Sequence, residues 1–226
     1  WRLDCLVKKK INVILQARVN STRLPGKIFF TFFNQTIIER VIEIAKNIKN
    51  VDKIILATSS KKENIILKNI CKKNKIIFFN NSNAENNVLE RYKKVIKKYP
   101  SEYFIRMTCD NYLMQPEIID SLLNKVQKNQ YDYGYIKPLS HYSGEIVKTK
   151  AFMSNKRTIT NFDKEHVTWS LRNDKNIRKI IFNSNHMGIN HNKIIALDNL
   201  KDLIYMKEIE TKYIGLKNVK CIKVIK

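Results

Sequence analysis

The regular alternation of apolar and amphipathic segments is the feature that most restricts how this chain can fold. Four short apolar runs in its first half are each followed by a segment whose apolar residues recur at helical spacing. Strands and helices that alternate in this way form a parallel sheet wound by right-handed crossovers. Ligands of such sheets bind at the carboxyl ends of the strands, near a point where the strand order reverses. We therefore expect functional residues directly after the apolar runs.

The predicted elements follow one another without a Gly/Ser linker or an internal repeat, which favours a single domain, residues 1–226. Strands are predicted at 11–17, 52–58, 75–79, 102–108, 131–136 and 177–183, with a short extended stretch at 28–33. Helices are predicted within 34–50, from a capping box of Ser60 and Glu63 to about residue 73, over 88–98, from Pro116, over 163–173, and after a strand that ends at Asp198.

The pattern loosens after residue 137. The segment HYSGEIVKTKAF indicates a hairpin, or a strand that follows a turn at Ser143 and Gly144. We expect a small antiparallel excursion from the mostly parallel sheet, which would serve as a lid or as an arm in a homodimer.

The first apolar run leads directly into a basic loop that ends in Leu-Pro-Gly-Lys. Within residues 16–27 this loop collects side chains that can bind phosphate: Gln16, Arg18, Ser21, Thr22, Arg23 and Lys27. Cations and backbone N–H groups just past the carboxyl end of a strand suit a polyphosphate. A solvated loop is the alternative for Arg23 and Lys27, but the Leu-Pro-Gly framing fixes these residues in place.

Two carboxylates, Asp110 and Asp198, each follow another apolar run. Either could be a turn or helix-cap residue. Together they would suit Mg²⁺, which prefers one or two carboxylates with phosphate oxygens and water. Arg18, Arg23 and Lys27 would then neutralise a triphosphate and the charge that develops on its leaving group, as phosphoryl-transfer chemistry requires.

Several other polar residues admit both a structural and a functional interpretation. Thr58 ends the second predicted strand and so falls at the same edge as the basic loop. Arg91 is either a surface residue of an amphipathic helix or reaches the site with Asn87 as its companion. His166 is either a helix-packing residue or a ligand-binding one.

The net charge of +23 raises the alternative of a nucleic-acid partner. Of the 43 basic residues, 34 are Lys and nine are Arg, in a chain that is also rich in Ile and Asn. This bias is typical of an AT-rich genome. The lysines are spread along the whole sequence, which contains no RRM, KH or zinc-finger pattern. We expect mainly a solvated lysine surface, and nucleic-acid binding is the weaker interpretation.

The cysteines predict a reducing compartment. Cys5, Cys71, Cys109 and Cys221 are far apart and include no C-x-x-C pair, so we expect free thiols. No run approaches the roughly 20 apolar residues of a membrane span, and the charged start of the sequence does not have the pattern of a secretory leader. We therefore expect a cytoplasmic protein without a membrane partner.

Six motifs occur in a fixed order: QARVNSTRLPGK at 16–27, ATS at 57–59, NVLERY at 87–92, RMTCDN at 106–111, EHVT at 165–168 and ALDNLKDL at 196–203. Together they resemble the cytidylyltransferases related to the spore-coat polysaccharide biosynthesis protein F family. More distantly, they are similar to 3-deoxy-manno-octulosonate and acylneuraminate cytidylyltransferases. The resemblance covers residues 11 to about 210.

The resemblance implies a three-layer α/β/α fold of the nucleotide-diphospho-sugar transferase type, which is Rossmann-like. It also implies attack of a sugar-acid oxygen on the α-phosphate of CTP, with release of pyrophosphate. The residues then expected to bind the nucleotide are Gln16, Ala17, Arg18, Ser21, Thr22, Arg23, Lys27, Thr58, Asn87, Arg91, Arg106 and Thr108. The expected catalytic residues are Arg23, Lys27 and Asp110, the magnesium ligands Asp110 and Asp198, and the acceptor-binding residues Glu145 and His166.

The chain departs from the family pattern in three places. Glu90 replaces the Asp of the family's N-V-L-D-R-Y, and the family's T-G-D-C-P becomes Thr-Cys-Asp-Asn-Tyr at 108–112. The acidic, glycine-flanked segment on the acceptor side is shortened to residues 143–146.

The leading hypothesis is a Mg²⁺-dependent cytidylyltransferase that activates a sugar or sugar acid for surface polysaccharide synthesis. It predicts that Arg23→Ala or Asp110→Asn abolishes turnover while the fold persists. One alternative is a glycosyltransferase that consumes a preformed nucleotide-sugar without releasing pyrophosphate. The other is a basic nucleic-acid-binding module, whose binding would weaken steeply with salt and survive Arg23→Ala.

Overall fold

A mixed sheet of seven strands forms the centre of the computed structural model, which describes residues 10–80, 87–137, 143–154, 160–183 and 196–212. The strands are β1 (Ile11–Gln16), β2 (Thr31–Phe32), β3 (Gln35–Thr36), β4 (Lys53–Ala57), β5 (Ile77–Phe79), β6 (Tyr103–Thr108), β7 (Tyr133–Lys137), β8 (Glu145–Lys148) and β9 (Lys179–Asn183). The helices are α1 (Ile37–Lys46), α2 (Ile66–Asn74), α3 (Val88–Lys98), α4 (Pro116–Lys128), α5 (Thr149–Ser154), α6 (Asn161–Glu165), α7 (Trp169–Asn173) and α8 (Leu200–Lys212).

The strand order places β1 at the point where the sheet changes direction. The order is β5-β4-β1-β6-β8-β7-β9, so the chain extends from β1 to one edge and then returns to β6 on its other side. Strand β8 pairs antiparallel with both of its neighbours, whereas the other pairs of this sheet are parallel. Strands β2 and β3 form a separate antiparallel pair. The predicted mostly parallel α/β/α fold with an antiparallel excursion is therefore confirmed.

Apolar side chains cover both faces of the sheet. Val13 and Leu15 of β1 belong to a buried cluster that contains residues of α1 and α4. Ile14, which points to the opposite face, belongs to a second cluster with residues of α3. A strand that is apolar on both faces is typical of the centre of a parallel sheet, and it provides a rigid base for the loop that follows β1.

Three helices begin where the sequence supplies a suitable first residue. The side chain of Thr36 accepts a hydrogen bond from the Glu39 backbone N–H at the start of α1, and Asn87 does the same for Glu90 at the start of α3. Pro116 occupies the first turn of α4, where a missing N–H costs nothing.

Six of the predicted strands and one predicted helix agree closely with the structure. Strands β1, β4, β5, β6, β7 and β9 begin and end within two residues of the predicted bounds, and α3 coincides with its prediction. Most of the predicted polar loop at 80–87 and the start of the strand predicted before Asp198 lie outside the described residues. Among the described residues, no helix is both long and apolar enough to cross a membrane.

Four local predictions are wrong. The stretch 28–33 is not a single extended segment, because a 3₁₀ turn over Lys27–Phe29 precedes β2. Ser60 is not the residue that caps this segment: a 3₁₀ turn over Lys62–Ile65 precedes α2, and its N-cap is Lys61. The helix predicted at 163–173 is divided into α6 and α7. Residues 196–198 are not a strand.

Candidate active site

A cavity of about 560 Å³ lies where β1 and β6 end, at the edge of the sheet that the sequence predicts. Most of the predicted site residues line it: Gln16, Ala17, Arg18, Ser21, Thr22, Arg23, Lys27, Arg91, Arg106, Thr108, Asp110, His166 and Asp198. Thr58, Asn87 and Glu145 do not line it. The topology therefore brings residues from distant parts of the sequence to one site.

Lys27 joins the two predicted metal ligands. Its Nζ donates a hydrogen bond of 2.6 Å to Asp110 Oδ2 and one of 2.8 Å to Asp198 Oδ1. The guanidinium of Arg23 lies 3.2 Å from the other oxygen of Asp198. Two cations and two carboxylates thus form one cluster, and the two aspartates converge on a single point although they are far apart in the sequence.

The backbone after the basic loop fixes the position of Lys27. Gly26 adopts a left-handed conformation with φ 68°, which a glycine reaches without strain. Its N–H donates to the carbonyl oxygen of Val19 at 3.0 Å, which closes the loop on itself. The 3₁₀ turn begins at Lys27, and both Lys27 and Ile28 are buried. The Leu-Pro-Gly-Lys sequence thus aims one ammonium group at the end of β6.

Residues after β4 hold the middle of the same loop. The buried Asn64 accepts a hydrogen bond from the Val19 N–H at 2.9 Å and donates one to Ser59 Oγ at 2.8 Å. Glu63 accepts a bond of 2.6 Å from the Asn20 side chain. Glu63 therefore contacts the basic loop rather than capping its own helix.

Electrostatic pairing keeps Lys27 and Asp110 charged. Burial alone would lower the pKa of Lys27, but the charges of Asp110 and Asp198 and their hydrogen bonds outweigh it and raise the pKa above its usual value of 10.5. Burial would raise the pKa of Asp110, and the adjacent Lys27 ammonium outweighs that effect and lowers the pKa below 3.8. Both groups are therefore ionised at neutral pH.

The donor set at this cluster fits Mg²⁺. Among the described residues, no group of three or more His, Cys, Asp or Glu side chains could hold a metal ion. Mg²⁺ does not need such a cage, because it is commonly held by one or two carboxylates together with substrate phosphates and water. Asp110 and Asp198 supply two carboxylates that already converge on one cation.

A second charged cluster lies beneath the cavity, around Glu145 of β8. This carboxylate is fully buried and accepts bonds of 2.6 Å from Arg106 and 2.6 Å from Arg172. The hydroxyls of Tyr133 and Thr168 also donate to it. Five residues from four segments of the chain therefore meet at one buried carboxylate.

The two arginines of this cluster connect it with the cavity. Arg106 donates a further bond of 3.2 Å to the side chain of Gln16, and Arg172 lies over the ring of Tyr135 at 4.7 Å. Both arginines line the cavity. Burial would raise the pKa of Glu145, but the charges of Arg106 and Arg172 outweigh it and lower the pKa from 4.5 to about 2. Glu145 thus holds its arginines as a permanent anion.

Three predicted ligand-binding residues do not line the cavity, and their roles in binding stay predictions. Glu145 and Thr58 are fully buried. The side chain of Asn87 caps α3 instead of lining the cavity. In each case the position at a strand or helix end is as predicted, but the side chain contributes to the framework of the site.

Sequence reasoning also missed residues of the cavity wall, namely Thr168, Trp169 and Arg172. The EHVT motif at 165–168 indicated that this segment belongs to the site, but His166 was the residue of the segment to which a binding role was assigned. Arg172 lies one helical turn after Thr168, and this spacing is the available signal that both could face the same carboxylate.

The profile of the cytidylyltransferase family matches residues 12–218. The chain belongs to the cytidylyltransferase family. The spore coat polysaccharide biosynthesis protein SpsF of Bacillus subtilis is 33% identical over 177 residues, which cover 75% of this chain and 72% of that protein. The 3-deoxy-manno-octulosonate cytidylyltransferase of Chlamydia pneumoniae is 26% identical over 118 residues, which cover 51% of this chain and 45% of that protein.

Among solved structures, a cytidylyltransferase from Leptospira borgpetersenii superposes with a TM-score of 0.78 at 21% identity. The match covers 96% of this chain and 97% of that one, which shows the shared cytidylyltransferase fold. The predicted resemblance to the spore-coat protein family, and the more distant one to the octulosonate enzymes, are both confirmed. The resemblance to acylneuraminate cytidylyltransferases stays a prediction.

Proposed function

We propose that this protein is a Mg²⁺-dependent enzyme that transfers CMP from CTP to a sugar or sugar acid and releases pyrophosphate. The observation that carries the proposal is the cluster in which Lys27 joins Asp110 and Asp198 beside Arg23, at the ends of β1 and β6. Family membership supports the choice of CTP. The names of the two curated relatives support a sugar acceptor and a role in surface polysaccharide synthesis.

The reaction joins an acceptor oxygen to the α-phosphorus of CTP. The bond between that phosphorus and the oxygen bridging to the β-phosphate breaks, pyrophosphate leaves with the bonding electrons, and the proton of the acceptor hydroxyl is released. The protein must therefore position two substrates and neutralise the charge that grows on the leaving group.

Residues of the basic loop and of β6 are placed for these tasks. Arg18, Arg23 and Lys27 line the cavity as cations for the triphosphate, and Ser21 and Thr22 add hydroxyl groups. Asp110 and Asp198 would hold Mg²⁺, which when bound supplies positive charge next to the phosphates. Since Lys27 contacts both aspartates, we expect it to turn towards the phosphates when nucleotide and metal bind.

Pyrophosphate release tests the proposal. The protein is incubated with CTP, Mg²⁺ and a panel of sugars and sugar acids, and pyrophosphate is measured by a coupled assay. We expect release that requires an acceptor, stops with EDTA and is lost in Asp110→Asn. Glu117→Gln, which changes an exposed carboxylate on α4, is the matched control and should keep full activity.

Other outcomes of this experiment would contradict the proposal. Consumption of a preformed nucleotide-sugar without pyrophosphate would indicate a glycosyltransferase. Salt-sensitive binding of duplex or single-stranded nucleic acid that survives Arg23→Ala, with no CTP binding, would indicate a nucleic-acid-binding module.

We further propose that the enzyme acts in the cytoplasm, where CTP is made. We also propose that it acts as a homodimer, which analytical ultracentrifugation would test.

A further inference from the structure

Aromatic side chains are exposed at the edge of the cavity, on the segment that contains α6 and α7. His166 and Trp169 line the cavity, and Trp169 is 43% exposed. Phe162 packs against both: its ring centroid lies 4.0 Å from that of His166 and 5.1 Å from that of Trp169. An exposed cluster of aromatic rings beside a polar cavity leaves apolar surface in water that a ligand can cover.

We propose that the indole ring of Trp169, with His166 beside it at the cavity wall, forms a stacking platform for the ring of the acceptor sugar. This inference rests on the proposed function and adds to it the class of acceptor, namely a cyclic sugar that presents an apolar C–H face. Aromatic faces pack well against such flat, weakly polar surfaces, and they lose little conformational entropy in doing so. An open-chain polyol has no rigid face of this kind and should bind less well.

The platform is held in place before any ligand arrives. The Thr160 side chain and Asp163 form a capping box that starts α6. Thr168 lies two residues after His166 and is buried, and its hydroxyl donates a hydrogen bond of 2.8 Å to Glu145. The Trp169 N–H donates to the His166 carbonyl at 2.9 Å. The rings are therefore attached to the buried Glu145 cluster and should not pay a large ordering cost on binding.

The position of the platform relative to the sheet favours the acceptor over the nucleotide. The loop proposed to bind CTP follows β1, whereas the Glu145 cluster lies on β8 and β7, on the far side of β6 from β1. Thr168 anchors the platform to that second region. With the nucleotide on the β1 loop, the wall that carries Trp169 is the part of the cavity left for the second substrate.

Tryptophan fluorescence can report on the platform directly. The chain contains two tryptophans, Trp1 and Trp169, so Trp1→Phe leaves Trp169 as the sole reporter. This variant is titrated with CTP and Mg²⁺, and then with 3-deoxy-manno-octulosonate, N-acetylneuraminate, glucuronate or the acyclic glucitol. We expect a saturable change in emission with at least one cyclic sugar and none with glucitol. An equal change with CTP alone, or none with every cyclic sugar, would overturn the proposal.

Kinetics of the variants then separate stacking from a structural role. Trp169→Ala should raise the KM for the responding cyclic sugar about tenfold, while the KM for CTP changes less than about twofold. Trp169→Phe keeps an aromatic face and should restore most of the affinity. Ile204→Ala removes another exposed apolar side chain, on α8, and should change neither constant. An unchanged acceptor KM in Trp169→Ala would contradict the platform.

The two proposals fail in distinguishable ways. If the wild-type protein releases no pyrophosphate with any acceptor, the proposed function fails, and the fluorescence titration still decides whether a sugar ring contacts Trp169. If pyrophosphate is released but Trp169→Ala behaves as wild type, the function stands and the platform is wrong.

Discussion

The two charged clusters of the cavity use the same ion-pairing chemistry in different ways. At the first, Lys27 and Arg23 pair with carboxylates that are partly open to the cavity, the side chain of Asp110 being 23% exposed and that of Asp198 31%. At the second, Glu145 is 0% exposed and holds Arg106 and Arg172. The accessible cluster is open enough to exchange its partners for the phosphates and the metal ion that the proposed function requires. The enclosed cluster is not, and it serves as a fixed support.

The comparison teaches that burial, not charge, separates binding groups from supporting ones in this site. A buried ion pair gains little net stability, but removing one partner leaves an uncompensated charge. An accessible pair contributes little to stability because solvent screens it. Substitutions at the first cluster should therefore change turnover with little effect on folding. Those at the second should change folding first.

Asp110→Asn should have the largest effect on turnover. It removes a proposed metal ligand and a charge partner of Lys27, so we expect kcat/KM to fall by about 100-fold or more. Steady-state pyrophosphate release gives the rate, and circular dichroism checks that the fold persists. Turnover within a few-fold of wild type would show that the first cluster is not the catalytic one.

Glu145→Gln should have the largest effect on stability. The neutral amide cannot balance Arg106 and Arg172, and we expect the free energy of unfolding to fall by about 3 kcal/mol in urea denaturation. Asp132→Asn is a control, because it changes a carboxylate that pairs with Lys148 at the longer distance of 3.6 Å and is partly exposed. Equal losses in the two variants would contradict the distinction drawn from burial.

The pH dependence of folding should also show that the negative charge of Glu145 stabilises the fold. The pKa of Glu145 is lowered from 4.5 to about 2 in the folded protein. Its contribution to stability is therefore complete above pH 4.5 and is lost as the pH falls towards 2. Glu145→Gln should lose stability less steeply than wild type across this range when unfolding is measured at successive pH values. Parallel curves would exclude the charged carboxylate as the cause.

Arg23→Ala should have a smaller effect than the sequence alone suggests. The side chain is 66% exposed and pairs with one oxygen of Asp198, while the buried Lys27 contacts both aspartates. We expect kcat/KM for CTP to fall about tenfold, with unchanged thermal stability. Arg178→Ala, at an exposed arginine elsewhere, controls for the loss of one positive charge. A complete loss of activity would assign Arg23 a role in the transition state itself.

Asn64→Ala and Asn20→Ala should give the smallest effects and differ from each other. Asn64 is buried and holds Val19 and Ser59, so its loss should cost about 1–2 kcal/mol and raise the KM for CTP. Asn20 is exposed and donates its side-chain hydrogen bond to the carboxylate of Glu63, so its loss should cost less than about 0.5 kcal/mol. Thermal unfolding of both variants makes the comparison. Equal shifts of the melting temperature in the two variants would mean that Asn64 does not hold the basic loop in place.

Two residues of the first cluster could be predicted from strand ends: Asp110 lies two residues after β6, and Lys27 lies in the loop that follows β1. The rule for parallel sheets brings such positions to one edge. Asp198 was predicted from an apolar run that precedes it, although residues 196–198 do not form a strand. No separate knowledge of side-chain packing was needed. The same rule correctly located Thr58 at the end of β4 but could not show that its side chain is buried.

The second cluster could not be predicted because its contacts depend on how β8 is inserted in the sheet. Glu145 meets Arg106 across 39 positions through the antiparallel pairing of β6 with β8, and it meets Arg172 of α7 across 27 positions. No local sequence pattern specifies either contact. The contact of Glu63 with Asn20 across 43 positions replaced the predicted capping box for the same reason. The spacing of the sequence assigned Glu63 to the start of its own helix, whereas in the fold its carboxylate binds Asn20 of the basic loop.

The destination of the phosphorus label in CTP tests the central claim most directly. The protein is incubated with Mg²⁺, an active acceptor and CTP labelled with ³²P in either the α- or the γ-phosphate, and the products are separated. We predict that the α-label appears in a CMP-sugar and the γ-label in pyrophosphate, with neither transfer in Asp110→Asn. A γ-label on the sugar, or an α-label that stays in CTP while the sugar is consumed, would contradict the assignment of this site as a cytidylyltransferase centre.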